Sequence, residues 1–303
     1  MILVNGVKFN DEEFHNGEVI FMKPVNTCKI ENVIEMLFED NRDITNLLFA
    51  RTWLDKKYPN AVCDLVMKYC PYERMDREIN EQMFSMEVFA DILGKFKFRR
   101  VYVLDPHSNV CVDVLKNANM SVEIIDLEKY INKVIDDFKP DYICYPDKGA
   151  YHKYPGVLAN IKLPFFFGEK TRDLANKGKI TDYQLVGAPD LKDKKVLIID
   201  DICCLGGTAY NAAVEMKKLG ASEVAFYISH CENGIFAGKI LKAETIYKCE
   251  TVTGDTHTED GKRSGDKTLE IRIPVGSRYI IDKVYTANTM LLENGHKNII
   301  IVK

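Results

Sequence analysis

The chain has 303 residues, of which 46% are apolar and 28% charged, with a net charge of −4 at pH 7. This length exceeds the size at which one hydrophobic core stops growing, so we predict two globular domains. The apolar fraction is too high for a disordered chain. The near balance of charges argues against a nucleic-acid binder or a polybasic membrane binder, and no apolar run is long enough to span a bilayer. Acidic residues follow closely on the first apolar residues, and the nine cysteines include no Cys-x-x-Cys pair, so we predict a cytoplasmic protein with reduced thiols.

Short apolar runs alternate with helix-like segments, which predicts a doubly wound α/β architecture. Continuously apolar runs are typical of strands buried on both faces of a parallel sheet. The predicted strands are 62–68, 100–104, 122–125, 141–145, 164–167, 195–199 and 223–228. Two helices are predicted with clear ends: 85–94, capped by Ser85 and stopped by Gly94, and 208–220. The polar segment 250–267 is predicted to be a solvated loop or hairpin.

The first polar motif along the chain that follows a predicted strand is 69–77, Tyr-Cys-Pro-Tyr-Glu-Arg-Met-Asp-Arg. It places Arg74 and Arg77 on one short loop, and paired guanidiniums suit a polyphosphate because arginine binds phosphate oxygens bidentately. Taken alone, such a cluster is more often a set of surface ion pairs.

Two later strand ends carry weaker signals. Asp105 and His107 follow the strand at 100–104, and Asp147 lies in a Pro-Asp-x-Gly segment after the strand at 141–145. Each alone has an ordinary explanation, since a loop histidine is usually a polar surface residue and Pro-Asp-x-Gly is a good turn. Farther on, Lys170 and Arg172 stand one residue apart after the strand at 164–167.

The strongest signal is the segment 196–208, in which an apolar strand leads to two acids and then to a glycine-rich helix start. Gly206 and Gly207 let the backbone approach a ligand, and the N–H groups of the helix start favour a phosphate. Asp200 and Asp201 are good acceptors for sugar hydroxyls or ligands for Mg²⁺. Together they predict a cradle for ribose 5-phosphate, and no Gly-Lys-Ser/Thr follows that would make this a Walker loop.

The Asp-Asp-x4-Gly-Gly-Thr arrangement resembles the phosphoribosyl pyrophosphate motif of type I phosphoribosyltransferases and ribose-phosphate pyrophosphokinases. The other segments resemble motifs of the pyrophosphokinases, as do Phe-His-Asn-Gly-Glu at 14–18 and the segment 229–236. All of these segments follow one another in the same order as the motifs of that family, over roughly residues 14–240. The resemblance implies two phosphoribosyltransferase-like domains, each a mostly parallel sheet flanked by helices. Residues 1–123 would form the ATP side and 124–303 the ribose 5-phosphate side.

The resemblance also implies a reaction, in which the β,γ-diphosphoryl group of ATP moves to O1 of ribose 5-phosphate with Mg²⁺ as cofactor. The implied ATP-binding residues are Phe14, Asn16, Glu18, Arg74, Asp76, Arg77 and His107. The implied sugar-phosphate residues are Asp200, Asp201, Cys204, Leu205, Gly206, Gly207 and Thr208. The implied catalytic residues are Lys170, Arg172 and His107, and the implied metal ligands are His107 and Asp147. Because the segment with Phe14 reaches a neighbouring subunit in that family, a homodimer or larger homo-oligomer is expected.

The chain departs from the family at two places. Cys204 and Leu205 stand where the family has an aspartate and a threonine, and Glu73 and Met75 also differ from the family pattern. A non-catalytic pyrophosphokinase-like regulatory subunit therefore stays open as an alternative, and a phosphoribosyltransferase is a further one. Retention of the charged residues expected to do the chemistry favours the enzyme.

Overall fold

The computed structural model describes residues 1–8, 11–21, 29–173, 179–257, 263–287 and 296–302. Its first part contains, in chain order, β1 (Ile2–Val4), β2 (Val7–Lys8), β3 (Asp11–Glu13), β4 (Val19–Phe21), β5 (Glu31–Met36), α1 (Asn41–Lys57), β6 (Val62–Val66), α2 (Ser85–Gly94), β7 (Val101–Leu104), α3 (Asn109–Asn117) and β8 (Val122–Ile125). Six strands form one sheet in the order β2-β1-β5-β6-β7-β8, parallel from β5 to β8 and antiparallel at β1 and β2. Strands β3 and β4 form a separate hairpin.

The second part contains α4 (Glu128–Phe138), β9 (Tyr142–Tyr145), α5 (Lys148–Val157), β10 (Phe165–Asp173), β11 (Lys179–Val186), β12 (Lys195–Cys203), α6 (Gly207–Lys218), β13 (Glu223–Cys231), β14 (Ala243–His257), β15 (Arg263–Tyr279), β16 (Lys283–Thr286) and β17 (Ile299–Ile301). Seven strands form a sheet in the order β11-β10-β9-β12-β13-β16-β17, in which β11 alone pairs antiparallel with its neighbour. The predicted α/β fold with two mostly parallel sheets is confirmed.

Strand β12 illustrates why the apolar runs form central strands. Val196 and Ile198 pack into the core on one face of the sheet, whereas Leu197 and Ile199 pack into the core on the other face. Successive side chains of a strand point to opposite faces, so a strand covered on both sides must be apolar throughout. Its carboxyl end is therefore the first place at which polar side chains can stand.

Two strands run farther than the sequence predicts. Strand β12 continues to Cys203 because Ile202 and Cys203 still pair with β13, so Asp200 and Asp201 lie in the strand rather than after it. Strand β10 continues to Asp173 and pairs with β11, so Lys170 and Arg172 lie on a strand of an edge hairpin and not in a loop. Tertiary pairing with a neighbouring strand decides both ends.

Local signals also differ from expectation in places. The expected Ser85 cap is wrong: Phe84 is the N-cap of α2, and no side chain caps that end. Residues 250–257 and 263–267 lie on the paired strands β14 and β15, so the predicted hairpin is confirmed for these residues and is longer than predicted. The predicted domain boundary after residue 123 falls inside β8, and the division into domains stays a prediction.

The seven cysteines whose side chains the structure describes are free thiols, and Cys204 is the exposed one among them. Cys28 and the side chain of Cys249 lie outside the described residues. Across the part of the chain that the structure describes, no helix is both long enough and apolar enough to cross a membrane.

Candidate active site

A cavity of about 660 Å³ opens where loops of both sheets meet at the carboxyl ends of their parallel strands. This is the place where ligands bind in open α/β sheets, and the volume lies within the usual range for ligand sites. It brings together nine of the residues that the sequence predicts for the site, namely Arg74, Asp76, Arg77, His107, Asp147, Lys170, Asp200, Asp201 and Thr208. Motifs up to 134 residues apart in sequence (208 − 74) thus line one space.

The loop between β6 and α2 supplies the two arginines. Asp76 is buried, and its carboxylate accepts hydrogen bonds from Ser108 Oγ at 2.8 Å and from Arg77 Nε at 3.0 Å. The hydrogen bonds from Ser108 and from Arg77 outweigh burial and hold the pKa of Asp76 below its usual value. Asp76 therefore anchors Arg77 and the start of α3 instead of presenting a free carboxylate to a ligand.

Arg74 crosses from the first sheet toward the second. Its Nη1 lies 3.1 Å from Glu232 Oε1, just beyond the end of β13. Half of the Arg74 side chain is exposed, so the pair contributes little to stability, but it places the guanidinium beside both the main cavity and the cradle.

His107 stands at the end of the segment that links β7 to α3. Its ring Nδ1 lies 2.7 Å from Asp201 Oδ2, and this hydrogen bond raises the pKa of His107 above its ordinary value. The contact joins the first sheet to the second.

Asp200 and Asp201 are adjacent but differ in charge. Burial raises the pKa of Asp200 well above its ordinary value, and the charges of Asp201 and Asp147 raise it further. Burial also disfavours the charge on Asp201, yet His107 and the Lys153 ammonium outweigh it and hold the pKa of Asp201 far below its usual range. Asp201 is therefore the ionised member of the pair, and Asp200 holds a proton more readily.

Asp147 links α5 to the edge hairpin. Its Oδ1 accepts a hydrogen bond from the backbone N–H of Ala150 at 3.0 Å and so caps α5, while Oδ2 accepts one from Lys170 Nζ at 2.5 Å. The Pro-Asp-x-Gly segment is thus a helix start. The side chain of Arg172 lies outside the described part of the structure.

The acids around the cavity fit a magnesium ion that is shared with a substrate. Among the described residues, no three His, Cys, Asp or Glu side chains form a metal-binding group. Mg²⁺, however, is usually held by one or two carboxylates together with substrate phosphates and water. Asp147 and Asp200 both line the cavity, so a divalent cation bound there would relieve the repulsion between their carboxyl groups.

The predicted sugar-phosphate cradle forms a second cavity of about 190 Å³ beside the first, lined by residues of the segment 202–209 and by Arg74. Gly206 is the N-cap of α6 with a φ of 74°, and a Cβ there would lie 2.0 Å from Ile240 Cδ1. Glycine is therefore required on both conformational and steric grounds. Cys204 and Leu205 are exposed and line this cavity, so the departures from the family pattern lie at the site itself.

The predicted N-terminal residues lie elsewhere in this chain. Phe14, Asn16 and Glu18 are exposed in and beside the turn between β3 and β4, and none of them lines either cavity. Asn16 Oδ1 accepts a hydrogen bond from the backbone N–H of Glu18, which fixes the turn. A role in ATP binding for these residues requires a second chain and stays a prediction.

The structure places Lys148 and Glu169 on the cavity wall, and it adds three further charged residues that sequence reasoning did not place in the site. Lys153 on α5 reaches into the cavity, Asp105 lies buried behind His107, and Glu73 lies buried under the arginine loop. Asp105 matched a family motif and Glu73 was noted as a departure, so each had a partial signal. Lys153 had none, because it lies in the middle of a helix that the sequence did not predict.

Replacing Glu73 by glutamine is expected to raise stability at alkaline pH. Glu73 is 1% exposed, its Oε2 accepts from the backbone N–H of His107 at 3.3 Å, and burial raises its pKa well above the usual value. The folded protein therefore binds a proton that the unfolded chain releases above about pH 4.3, so stability falls as pH rises toward the raised folded pKa. Glutamine keeps the acceptor without this charge and should be about 1–3 kcal/mol more stable than wild type at pH 8.

Urea unfolding followed by circular dichroism at pH 5 and pH 8 measures this difference. The two proteins should have nearly equal stability at pH 5, and the exposed Glu81→Gln variant should show no pH-dependent difference from wild type. A Glu73→Gln variant that is less stable than wild type at pH 8 would mean that this carboxylate is ionised and well paired.

Comparisons with known proteins agree with this geometry. A family model described as phosphoribosyl transferase domain matches residues 113–258. Ribose-phosphate pyrophosphokinase from Pyrococcus abyssi (strain GE5 / Orsay) is 29% identical over 202 residues, which are 66% of this chain and 67% of that protein. The protein of the same name from Pyrococcus furiosus is 28% identical over 174 residues, 57% of this chain and 59% of that protein.

Among solved structures, phosphoribosylpyrophosphate synthetase from Mycobacterium smegmatis superposes with a TM-score of 0.65 at 16% identity, covering 97% of this chain and 85% of that one. At this identity the likeness concerns the fold. The aligned segments span about three fifths to two thirds of the two Pyrococcus proteins.

The two parallel sheets and the glycine-rich cradle at the end of β12 define a protein of the type I phosphoribosyltransferase-like class. This class includes enzymes that make phosphoribosyl pyrophosphate and enzymes that consume it. Within it, the relatives that match this chain are ribose-phosphate pyrophosphokinases.

Proposed function

We propose that this protein is a ribose-phosphate diphosphokinase, which converts ATP and ribose 5-phosphate into AMP and phosphoribosyl pyrophosphate. One observation carries the proposal: the main cavity joins two arginines and a histidine of the first sheet to the acids, lysine and cradle of the second. A phosphoribosyltransferase shares the cradle and also binds a diphosphate, but the resemblance assigns the arginine and histidine segments of the first sheet to the pyrophosphokinases.

Each part of the protein would bind one of the two substrates. The backbone N–H groups of Gly206 and Gly207 and the hydroxyl of Thr208 would bind the 5-phosphate, with Cys204 and Leu205 on the cavity wall. Asp201 would accept hydrogen bonds from the ribose hydroxyls, and the adjacent Asp200 would also face the sugar. Residues of the first sheet would hold the nucleotide, with Arg74, Arg77 and His107 on the phosphates and Asp76 as the anchor of Arg77.

The reaction would be a single in-line displacement at the β-phosphorus. The oxygen of the anomeric hydroxyl bonds to the β-phosphorus and its proton is released to solvent, while the bond from the β-phosphorus to the α,β-bridging oxygen breaks and that oxygen leaves with AMP. Catalysis is therefore mainly a matter of alignment and charge neutralisation. Lys170 and Arg172 would stabilise negative charge on the moving phosphates. Asp147 and Asp200 would hold Mg²⁺, which when bound offsets phosphate charge, whereas His107, a cation when protonated, would contact the phosphates.

The nucleotide pocket would be completed by a second copy of the chain. The exposed Phe14 is 58% accessible on its hairpin, and an exposed aromatic ring of this kind can stack on a base. Asn16 and Glu18 on the same turn would supply polar contacts. We therefore propose a homo-oligomer, in which this hairpin reaches the neighbouring site.

The direct test is incubation of the purified protein with ATP, Mg²⁺ and ribose 5-phosphate, followed by ³¹P NMR and nucleotide chromatography. The expected products are AMP and a sugar that carries a new diphosphate, in equal amounts. ADP as the nucleotide product would contradict diphosphoryl transfer. Tight nucleotide binding without turnover would favour the regulatory subunit, and base-dependent release of pyrophosphate from phosphoribosyl pyrophosphate would favour the transferase.

A further inference from the structure

Lys153 is a partly accessible lysine at the junction of the two sheets, with 20% of its side chain exposed. Its Nζ lies 2.7 Å from Asp105 Oδ1 and donates to the backbone carbonyl of Pro106 at 2.8 Å. The same ammonium donates to Asp201 Oδ2 at 3.5 Å. One residue of α5 thus contacts both the segment that carries His107 and the acid of β12 that contacts His107.

Asp105 is held on the side opposite Lys153. Its Oδ2 accepts hydrogen bonds from Tyr154 Oη at 2.8 Å and from Ser229 Oγ at 2.6 Å. Its backbone has a φ of 46°, a left-handed conformation that is strained for a residue with a Cβ and that persists when the surroundings enforce it. The turn that aims His107 into the cavity is therefore held from the second sheet.

The charge on Lys153 is matched to this position. Burial alone would lower its pKa, but the carboxylates of Asp105 and Asp201 outweigh that effect and raise it, so the side chain is an ammonium at neutral pH. Asp201 Oδ2 consequently receives two donors, the His107 ring and this ammonium. Lys153 and His107 contact the same oxygen of Asp201, so Lys153 lies next to the His107–Asp201 pair.

We propose that Lys153 is a positioning residue, which fixes the His107 segment and Asp201 in one geometry and so aligns the nucleotide with the sugar. The proposal rests on the proposed function, because it assigns the two partners of Lys153 to the two substrates. Lys153 acts through His107 and Asp201 and needs no contact with either substrate. It adds a further contact between the two halves of the cavity to those of His107 with Asp201 and of Arg74 with Glu232.

Lys153→Met is the direct test, with Lys217→Met as the matched control. Lys217 is another buried lysine of the second part, it contacts Asp282 at 3.0 Å and the carbonyl of Ser222 at 2.8 Å, and it lies outside both cavities. Misplacement of reacting groups by about 1 Å costs on the order of 100-fold in rate, so kcat of Lys153→Met should fall about 100-fold. Both KM values should stay within about threefold of wild type, because the groups that bind the substrates remain.

Three comparisons separate positioning from general stability. Lys217→Met should lower the melting temperature as much as Lys153→Met does and leave kcat unchanged. Lys153→Arg, which keeps the charge, should recover most of kcat. Ser229→Ala keeps Lys153 and removes one bond to Asp105, so it should lower kcat about three- to tenfold with unchanged KM, and it serves if Lys153→Met does not fold.

A measurement without substrates makes the proposal independent of activity. In protein labelled with ¹⁵N-histidine, the ring signals of His107 report its bond to Asp201, and a His107→Gln variant assigns them. Lys153→Met or Ser229→Ala should shift these signals, and Lys217→Met should not. The positioning role is overturned if the wild type is active and both Lys153→Met and Ser229→Ala keep its kcat and its His107 signals. If these variants shift the signals but the wild-type protein forms no AMP, only the proposed function is overturned.

Discussion

Replacing Lys170 by alanine is expected to lower kcat by about 10²–10³-fold while the KM for ATP changes by less than about threefold. Lys170 Nζ lies 2.5 Å from Asp147 Oδ2 at the edge of the cavity, so the ammonium is already beside the acid proposed to share a cation with the phosphates. Charge on the moving phosphates is largest in the transition state. A group that neutralises this charge therefore contributes more to turnover than to ground-state binding.

Lys195→Ala is a suitable control for that experiment. Lys195 also pairs with a carboxylate, Glu223 at 3.0 Å, but it lies at the opposite end of β12 and should leave kcat unchanged. Arg172→Ala is expected to resemble Lys170→Ala. Equal losses in kcat and in ATP affinity for Lys170→Ala would assign Lys170 to ordinary nucleotide binding.

Replacing Asp201 by asparagine is expected to raise the KM for ribose 5-phosphate by about 10–100-fold and to leave the KM for ATP within about threefold. The carboxylate is buried and ionised, and a hydrogen bond to a charged group is worth about 1.5–3 kcal/mol. Asparagine preserves the shape of the side chain but loses the negative charge. The sugar hydroxyls would then meet a weaker acceptor.

The same substitution should change the pH profile of kcat. The hydrogen bond to Asp201 raises the pKa of His107, so in wild type the imidazolium persists to higher pH than an isolated histidine allows. Without that carboxylate the pKa of His107 returns toward its ordinary value, and the alkaline limb of the profile should move to lower pH. Asp282→Asn removes a lysine-paired carboxylate outside the site, so it should leave both KM values and the profile unchanged. Unchanged sugar affinity in Asp201→Asn would remove Asp201 from the cradle.

Prediction from sequence succeeded where a residue acts through its position along one strand or loop. The buried strands carry continuous apolar runs, and their polar ends follow, so the convergence of His107, Lys170 and the segment 200–208 could be anticipated. The apolar run of β12 also predicted the edge of the sheet at which the main cavity opens.

The remaining features depend on partners far away in sequence. Lys153 and Asp105 are in contact although 48 residues separate them in sequence, and Asp105 and Ser229 although 124 do. Contacts between residues so far apart in sequence leave no local pattern. The same holds for the extended ends of β10 and β12, which depend on pairing with a neighbouring strand rather than on the local sequence. Glu73 looked like a departure from a motif, and only its burial reveals that it behaves differently from a surface acid.

The ties between the sheets also bear on how the protein could be dissected. Leu104, the last residue of β7, packs in the core of the second sheet, and its carbonyl accepts a hydrogen bond from the buried His230 of β13. Two fragments made by cleavage between β8 and α4 would each expose one side of this contact to water. We expect them to be unstable apart and to regain the complete cavity only on reassociation, so a chain trimmed to either part should lose that cavity.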